Sequence, residues 1–429
     1  MPFLNNGMAA LYNNTILSVR RSTMKKFQIT YFGGPSAEYI TLPKTIAEIK
    51  ASGIDMVPLG YGYGADIIKP ALTELKKQGM TATVFDPRIR DMLRQTVDEE
   101  KVDAVVKSVV EDYRDFDNID GWELMDEPSG TDFPMLAALV RAFKKHAPGQ
   151  ETVINLFPDY ASPEQMHCPD YHTYVQEFLD TVQPDFLSYD YYSFVGRENR
   201  KAVKVPENES ERERLIRLSA ETTSDRDGFF ANMEEIRRFG MQYGIDAMLI
   251  ILLTEHGPYR NLTPAEILWE VNMCLAYGMR RLSYFTYWCD STNPDEVWNF
   301  ENALCDHGEL KQHYYDVQKI NAAIRPVGEY LFDRKSTEVF HVGKSELGTK
   351  LFEGFDGIKE IKSERPLVVG FFDDGSVYVV NADYRFETTV SVMADTRYEV
   401  MENHQFVPFA GSAVLAAGEG MLLRPVKKG

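Results

Sequence analysis

The sequence predicts an α/β fold in which a closed (β/α)₈ TIM barrel is followed by a small antiparallel β-sandwich, and three observations support this prediction. Eight short apolar segments, separated mainly by amphipathic helical stretches, succeed one another over about 300 residues. The seventh, residues 247–254, is nearly all Leu, Ile and Met, which is typical of a parallel strand buried on both faces. Beyond about residue 337 the apolar period changes to two.

The eight apolar segments are the predicted barrel strands. An open, doubly wound sheet is the alternative, but the number of strands and the lack of a GxGxxG turn favour the closed barrel. The predicted strands are residues 27–32, 55–60, 81–85, 119–125, 152–156, 186–191, 247–254 and 281–288.

The helices between these strands carry recognisable end signals. Gly53 and Gly79 follow two helical stretches, and glycine is the residue favoured just past a helix end. Thr263 and Glu266 flank Pro264 in the pattern of an N-terminal capping box. The predicted helices include residues 42–52, 65–78, 97–116 and 310–324.

The C-terminal region reads as short antiparallel strands. Residues 367–372 and 376–380 flank the turn Asp374-Gly375 and predict a β-hairpin, with further strands at 387–392, 398–402 and 420–423. The sequence therefore predicts three parts, which are an N-terminal arm over residues 1–24, a barrel over 25–334 and a sandwich over 335–429.

Charge and composition exclude several classes of protein. The net charge of −19 argues against nucleic acid and anionic membranes as partners, and 44% hydrophobic residues argue against disorder. No zinc-type spacing, signal peptide or membrane span is recognised, so we expect a cytoplasmic protein without a metal or cofactor. The four cysteines have no CxxC spacing and are expected to be free thiols: Cys168, Cys274, Cys289 and Cys305.

One segment interrupts the alternation of strands and helices. Residues 193–227 follow the sixth strand and are crowded with charge, for example at Glu207 and Arg212. The favoured interpretation is a solvated insertion with a short helix. The alternative is a lid, because insertions at this end of a barrel overhang the active site.

Two glutamates follow strands whose carboxyl ends open at the same face of the barrel. Glu127 ends the fourth strand, in Trp122-Glu123-Leu124-Met125-Asp126-Glu127-Pro128, and Glu255 ends the seventh. Cleavage of a glycosidic bond needs such a pair, one acid to protonate the leaving oxygen and one carboxylate to attack or to activate water. The alternative is that either side chain caps a helix or pairs with Arg88 or Arg260.

These residues resemble the clan of retaining glycoside hydrolases that carry catalytic glutamates on barrel strands four and seven. The resemblance implies that Glu127 is the acid/base and Glu255 the nucleophile, with their carboxyl groups about 5–5.5 Å apart instead of the ~6.5–9.5 Å of inverting enzymes. It also implies that Trp288 forms the sugar platform and that Tyr191 or Tyr192 hydrogen-bonds the nucleophile. Residues 278–288 and 415–420 are similar to β-galactosidase-like members.

One residue departs from the pattern of this clan. Many members have Asn before the acid/base, where its amide donates to the 2-hydroxyl of the sugar, and here Asp126 stands in that place. An ionised carboxylate only accepts hydrogen bonds, and beside Glu127 it would raise the pKa of one of the two groups. This either helps to keep Glu127 protonated or indicates an unusual sugar or redistributed roles.

Four further residues at strand ends are candidate substrate contacts. Arg88 would bind an acidic sugar, although a salt bridge with Asp86 or a glutamate is the commoner explanation. Asn155 and Asp190 would bind hydroxyl groups or satisfy loop backbone, and His256 would orient Glu255, touch substrate or cap a turn.

The sequence thus predicts a retaining glycosidase acting on β-linked oligosaccharides or glycosides, with the sandwich available for a homo-oligomeric contact. The rival from another class is a non-catalytic carbohydrate-binding protein on a degenerate barrel, with Asp126 as the sign of lost chemistry. A metal-dependent hydrolase is disfavoured by the absence of a histidine cluster, and a phosphosugar enzyme by the absence of a Gly-rich phosphate loop.

Overall fold

A computed structural model describes residues 26–60, 62–196, 225–293 and 298–426 of the chain. Eight parallel strands form one sheet that curls into a barrel, and two antiparallel sheets follow it. The predicted TIM barrel with a C-terminal β-sandwich is therefore confirmed. The arm over residues 1–24 and the charged residues of 197–224, including Glu207 and Arg212, lie outside the described residues.

The barrel strands follow one another in chain order around the sheet, and the eighth returns to pair in parallel with the first. Between the first and second strands the amide of Asp55 donates to the carbonyl of Ile29 at 2.9 Å. The strands are β1 (Gln28–Phe32), β2 (Met56–Leu59), β3 (Thr81–Val84), β4 (Ile119–Asp126), β5 (Glu151–Leu156), β6 (Phe186–Tyr191), β7 (Asp246–Leu252) and β8 (Arg281–Phe285).

The capping box predicted at Thr263 is confirmed among the helices of the barrel. The Glu266 amide donates to the Thr263 hydroxyl at 3.3 Å, and the Thr263 amide donates to the Glu266 carboxylate at 2.8 Å. The helices are α1 (Ala37–Ile40), α2 (Pro43–Ala51), α3 (Ala65–Lys77), α4 (Pro87–Met92), α5 (Glu99–Asp112), α6 (Phe133–His146), α7 (Pro163–Met166), α8 (Tyr171–Val182), α9 (Phe229–Tyr243), α10 (Pro264–Ala276) and α11 (Gln312–Phe332).

Two element ends differ from the sequence prediction. The eighth strand ends at Phe285, because the amide of the next residue, Thr286, bonds to the Thr254 hydroxyl at 3.0 Å. Trp288 therefore belongs to a separate three-stranded sheet made of β9 (Trp288–Cys289), β10 (Cys305–Asp306) and β11 (Glu309–Leu310).

Helix α11 runs past Pro326, although the sequence predicts its end near residue 324. Its last turns pack on the barrel, where Leu331 is buried and Gly328 lies against the ring of Phe27. A side chain at position 328 would collide with that ring, so the glycine permits the close approach.

The base of the barrel is closed by a buried ion pair. Arg281, at the start of β8, donates to Glu151, at the start of β5, at 2.8 and 3.3 Å across the lumen. The guanidinium also lies 3.9 Å from the centroid of the Phe186 ring. These contacts join three strands at the amino-terminal end of the barrel.

The sandwich consists of a six-stranded and a three-stranded antiparallel sheet with an apolar core between them. The predicted hairpin is present as the paired strands Leu367–Phe372 and Val377–Asn381, and its turn residue Gly375 has a positive φ of 81°. The strands are β12 (Ser336–Val342), β13 (Ile358–Ser363), β14 (Leu367–Phe372), β15 (Val377–Asn381), β16 (Thr388–Ala394), β17 (Tyr398–Glu402), β18 (Gln405–Pro408), β19 (Ser412–Leu415) and β20 (Gly420–Pro425).

Polar contacts fasten the sandwich to helix α10 of the barrel. The indole of Trp269 donates to the carbonyl of Ala382 at 3.1 Å, and the Tyr378 hydroxyl donates to Asn272 at 2.7 Å. A further contact reaches the mouth of the barrel, where the hydroxyl of Tyr384 donates to Asp225 at 3.2 Å. The sandwich thus contacts both the side and the rim of the barrel.

All four cysteines are buried free thiols, as the sequence predicts. Among the helices that the structure describes, none has the length and apolar character required to cross a bilayer.

Candidate active site

Three side chains predicted as site residues meet where β4, β5 and β6 end. The amide nitrogen of Asn155 donates to Asp126 at 3.0 Å and to Asp190 at 2.9 Å. The carbonyl oxygen of the same amide accepts from the Ser188 hydroxyl at 2.9 Å. Adjacent parallel strands bring their carboxyl ends together, so three consecutive strands place these groups in contact. We call Asp126, Asn155 and Asp190 the acidic network.

Burial sets the protonation of the acidic network. It raises the pKa of both Asp126 and Asp190, and the charge of Asp126 raises that of Asp190 further. The hydrogen bonds from Asn155 oppose these shifts in both residues. Two carboxylates that share one amide ionise less readily together than apart, so the network favours a protonated state.

Glu127 is the residue after Asp126 of the acidic network, and its backbone conformation is unusual. Its φ is +48°, in the left-handed region that residues other than glycine rarely adopt. Its amide donates to the Asn155 carbonyl at 2.8 Å, and its side chain is exposed. Burial raises the pKa values of Tyr174 and Tyr192, and the charge of Glu127 raises them further. Residues held in such conformations cluster at functional sites, which supports a functional role here.

Glu255 lies after β7 and is held by a segment that the sequence did not indicate. The carbonyl of Glu255 accepts from the amide of Glu301 at 2.8 Å, and its carboxylate accepts from the side-chain amide of Asn302 at 2.7 Å. Asn302 lies in a loop 47 residues downstream of Glu255. No strand or motif marks Asn302, so only the three-dimensional structure identifies it as a site residue.

A cluster of aromatic rings extends from the acidic network to the segment that carries Glu255. The ring of Tyr192 lies 5.2 Å from Phe285 and 5.9 Å from His256, and burial together with the charges of Asp190, Asp126 and Glu127 raises its pKa. Tyr192 therefore faces both the acidic network and the segment that carries Glu255. Phe285, at the end of β8, joins this ring cluster and was not singled out from the sequence.

Of the two other predicted aromatic contacts, Tyr191 faces away from the lumen and Trp288 lies on the rim of the barrel. Tyr191 points to the outside of the barrel, where its hydroxyl donates to the Asp227 carbonyl at 2.5 Å and its ring contacts Phe229. Alternation along β6 explains this orientation, since Tyr191 and Asp190 face opposite sides of the sheet. Trp288 packs 4.7 Å from Tyr39, on the rim beside β1.

His256 and Arg88 are both bound to protein groups. The imidazole of His256 donates from Nδ1 to the carbonyl of Thr254 at 2.7 Å and stacks on Phe300 at 4.8 Å. Arg88 is held by a two-pronged salt bridge to Asp86, at 2.8 and 3.0 Å, and donates to Asp112 at 2.7 Å. The salt bridge with Asp86, the commoner explanation for Arg88, is therefore present, and a contact of Arg88 with substrate stays a prediction.

A cavity of about 140 Å³ lies inside the barrel below the mouth. It is lined by apolar side chains and by polar ones that include Glu123, Asn155 and Ser283. Glu123 accepts from the Thr83 hydroxyl at 2.5 Å, and its pKa is raised to about 7, mainly by burial. The cavity reaches the acidic network through Asn155 but is not lined by Glu127 or Glu255. The described residues contain no cluster of His, Cys, Asp and Glu suited to a metal ion.

Comparisons with known proteins agree with the barrel fold. No protein-family model matches the sequence, and no curated protein matches it either. A glycoside hydrolase family 5 structure from Bacteroides vulgatus gives a TM-score of 0.53 at 10% identity, covering 92% of this chain and 89% of that one. A protein described only as a glycoside hydrolase gives 0.54 at 10% identity, over 92% of both chains.

A β-galactosidase from Rahnella sp. R3 gives a TM-score of 0.51 at 12% identity, over 75% of this chain. The chain spans about three fifths of the β-galactosidases that it resembles, namely 59% of the Rahnella enzyme and 62% of one from Marinomonas ef1. At these identities the similarity establishes a shared fold.

Proposed function

We propose that the protein is a glycoside hydrolase that cleaves β-linked glycosides with retention of configuration. The observation that carries the proposal is the placement of Glu127 and Glu255 after β4 and β7, at one mouth and joined by a shared cluster of aromatic rings. Carboxylates on opposite sides of a barrel mouth fit the two roles that glycoside cleavage requires.

In this mechanism Glu255 attacks the anomeric carbon while Glu127 donates a proton to the leaving oxygen. The covalent glycosyl-enzyme ester is then hydrolysed by water, from which Glu127 now removes a proton. The Asn302 amide fixes one oxygen of Glu255, and this limits the orientations of the nucleophile.

Asp126 takes the place where related enzymes use Asn, and the acidic network gives a reason why it serves. A protonated carboxyl group donates a hydrogen bond, as an amide does, whereas a carboxylate only accepts. Burial raises the pKa of Asp126, so a larger fraction of this carboxyl group is in the donating form in mildly acidic solution than would be the case for an exposed aspartate. We therefore assign Asp126 to a hydroxyl group of the bound sugar, with Asp190 and Asn155 holding it in place.

A β-galactosidase-like specificity is the finer part of this proposal. It rests on the resemblance of residues 278–288 and 415–420 to such enzymes and on the barrel shared with the Rahnella protein. Tyr192 and Phe285 supply ring surface for the sugar at the mouth. The predicted cytoplasmic location and homo-oligomeric contact through the sandwich remain part of the proposal.

A panel of aryl glycosides tests the activity, and the anomer released first, followed by NMR, tests the stereochemistry. Glu255→Ala should lower turnover at least about a thousandfold, because it removes the nucleophile. Azide, a small external nucleophile, should then restore turnover and yield a glycosyl azide of inverted configuration. Arg88→Gln, a charge change away from the mouth, is the control. Full activity of Glu255→Ala, or inversion by the unmodified protein, would overturn the mechanism.

A non-catalytic carbohydrate-binding protein is the second candidate, and the departure at Asp126 favours it. Binding of sugars without hydrolysis of any glycoside in the panel would support this function and exclude the first.

A further inference from the structure

Arg226 lies on the rim of the mouth in an unusual environment. Its guanidinium stacks on the ring of Tyr160 at 4.1 Å and lies 5.8 Å from the ring of Tyr259, whose hydroxyl accepts a hydrogen bond from it at 3.3 Å. Its backbone amide donates to the carbonyl of Ser193 at 2.9 Å, which ties it to the end of β6. Because aromatic rings lie against its faces, the N–H donors of the guanidinium point outward in its plane, and one of them bonds to Tyr259.

The charge of Arg226 is not neutralised by the described part of the chain. None of the described carboxylates forms an ion pair with it, and its Nε is buried without an acceptor. Arg260, on the same rim, provides the contrast, because it pairs with both Asp225 and Glu266. A buried donor without an acceptor is costly to maintain and calls for an explanation.

Two acidic side chains face this region, and burial raises the pKa of both. That of Asp159 is raised to about 7, with the charge of Glu235 adding to the effect and that of Arg226 opposing it. The pKa of Asp190 is also raised, and the charge of Asp190 in turn raises the pKa values of the Tyr160 and Tyr259 hydroxyl groups. Near neutral pH these groups compensate the guanidinium only in part.

The rings that hold Arg226 lead directly to the mouth. Tyr259 lies 5.3 Å from Tyr192, which in turn contacts Phe285 and His256. A sugar bound beside Tyr192 would therefore place a substituent within reach of the guanidinium. A planar guanidinium matches a carboxylate through two parallel hydrogen bonds.

We propose that Arg226 forms a subsite for the carboxylate of an acidic sugar, so that the preferred substrate is a glycoside bearing a uronic acid. This inference rests on the proposed glycosidase function and names its substrate class. The net charge of −19 repels a polyuronate, and a single uncompensated arginine fits a ligand with one carboxylate.

Direct binding tests the subsite without relying on turnover. Galacturonate, glucuronate, galactose and glucose are titrated by saturation-transfer NMR against the unmodified protein, Arg226→Gln and Arg226→Lys, with thermal melting to verify folding. We expect a uronate preference of roughly ten- to hundredfold in the unmodified protein, its loss in Arg226→Gln, and an intermediate value in Arg226→Lys.

Arg385→Gln is the matched control, because it removes the same charge from an exposed arginine of the sandwich that bonds to Asp383. The control should keep the uronate preference. Equal affinities for acidic and neutral sugars, an unchanged preference in Arg226→Gln, or stronger binding of galactose 6-sulfate than of galacturonate would overturn the proposal.

Turnover of aryl galacturonides and aryl galactosides separates this inference from the proposed function. Hydrolysis of the neutral glycoside without a preference for the acidic one would leave the glycosidase intact and refute the subsite. Uronate binding that depends on Arg226 without any hydrolysis would support the subsite and refute the glycosidase.

Discussion

The two ends of the barrel treat buried charge in opposite ways. At the base the carboxylate of Glu151 meets the guanidinium of Arg281 at 2.8 Å, and Asp55 meets Arg325 at 3.0 Å. At the mouth Asp126 and Asp190 share the neutral amide of a single residue. The base thus provides each of these acids with a cation, whereas the acidic network relies on burial and a proton.

This difference suggests that the charges at the base serve stability, whereas those at the mouth serve function. An ion pair that is formed across the lumen holds strands together, while unpaired acids in the interior reduce stability and are retained where chemistry needs them. In (β/α)₈ barrels the amino-terminal end serves stability and the carboxyl-terminal end carries the active site. Four substitutions test whether this division holds here.

Arg281→Ala should have the largest effect on stability, because it leaves Glu151 buried without its cation. We expect the free energy of unfolding to fall by about 3–5 kcal/mol, measured by denaturant titration. The double variant Arg281→Met/Glu151→Gln removes both charges and should recover most of the loss. A decrease below about 1 kcal/mol in the single variant would contradict a structural role for the base.

Glu123→Gln should stabilise the protein, but only at higher pH. Because burial raises the pKa of Glu123 to about 7, the folded protein retains a proton that the unfolded chain has lost. Stability is therefore lost as the pH rises from about 4.5 to about 7, and the glutamine variant avoids this loss. Denaturant titrations should show no difference near pH 4 and a gain of up to about 3 kcal/mol at pH 8. A gain of equal size at both pH values would contradict the assigned protonation.

Asn155→Ala should cost about 1–3 kcal/mol at pH 8, since Asp126 and Asp190 both lose a donor. The loss should shrink in acid, where both carboxyl groups are protonated in the folded and unfolded states. Ser188→Ala, which removes only the hydroxyl bonded to Asn155, is the milder control. Unfolding free energies at the two pH values provide the measurement, and a loss that grows in acid would refute the acidic network.

Arg88→Gln should have the smallest effect. The salt bridge joins Arg88 to the buried carboxylate of Asp86, but the backbone amide of residue 88 still donates to Asp86 in the variant, so we expect a loss of only about 1–2 kcal/mol. Turnover of any substrate should remain unchanged, which kinetic assays of the purified variant would verify. A selective loss of affinity for an acidic sugar would instead support the prediction that Arg88 contacts substrate.

The barrel was predictable because parallel strands buried on both faces leave continuous apolar runs in the sequence. The acidic network was predictable in part, since Asp126, Asn155 and Asp190 lie near the carboxyl ends of three consecutive strands. The salt bridge of Arg88 was predictable as well, because its partner Asp86 is only two positions away in the sequence.

Other site residues left no signal of this kind. Asn302 contacts Glu255 from a distant loop, and Arg226 reaches the mouth through ring contacts between separate segments. The end of β8 at Phe285 depends on a hydrogen bond to Thr254 and not on the hydrophobicity of the following residues. Such long-range contacts determine where functional groups lie without altering the local sequence pattern.

The hydrogen bond from Tyr384 to Asp225 has a consequence for shortening the protein. Asp225 precedes Arg226 and anchors the rim, so a truncated chain that lacks the sandwich would release one support of the mouth. It would also expose the Trp269 surface of helix α10 to water. A minimal barrel would thus need both a substitute partner for Asp225 and a resurfaced helix.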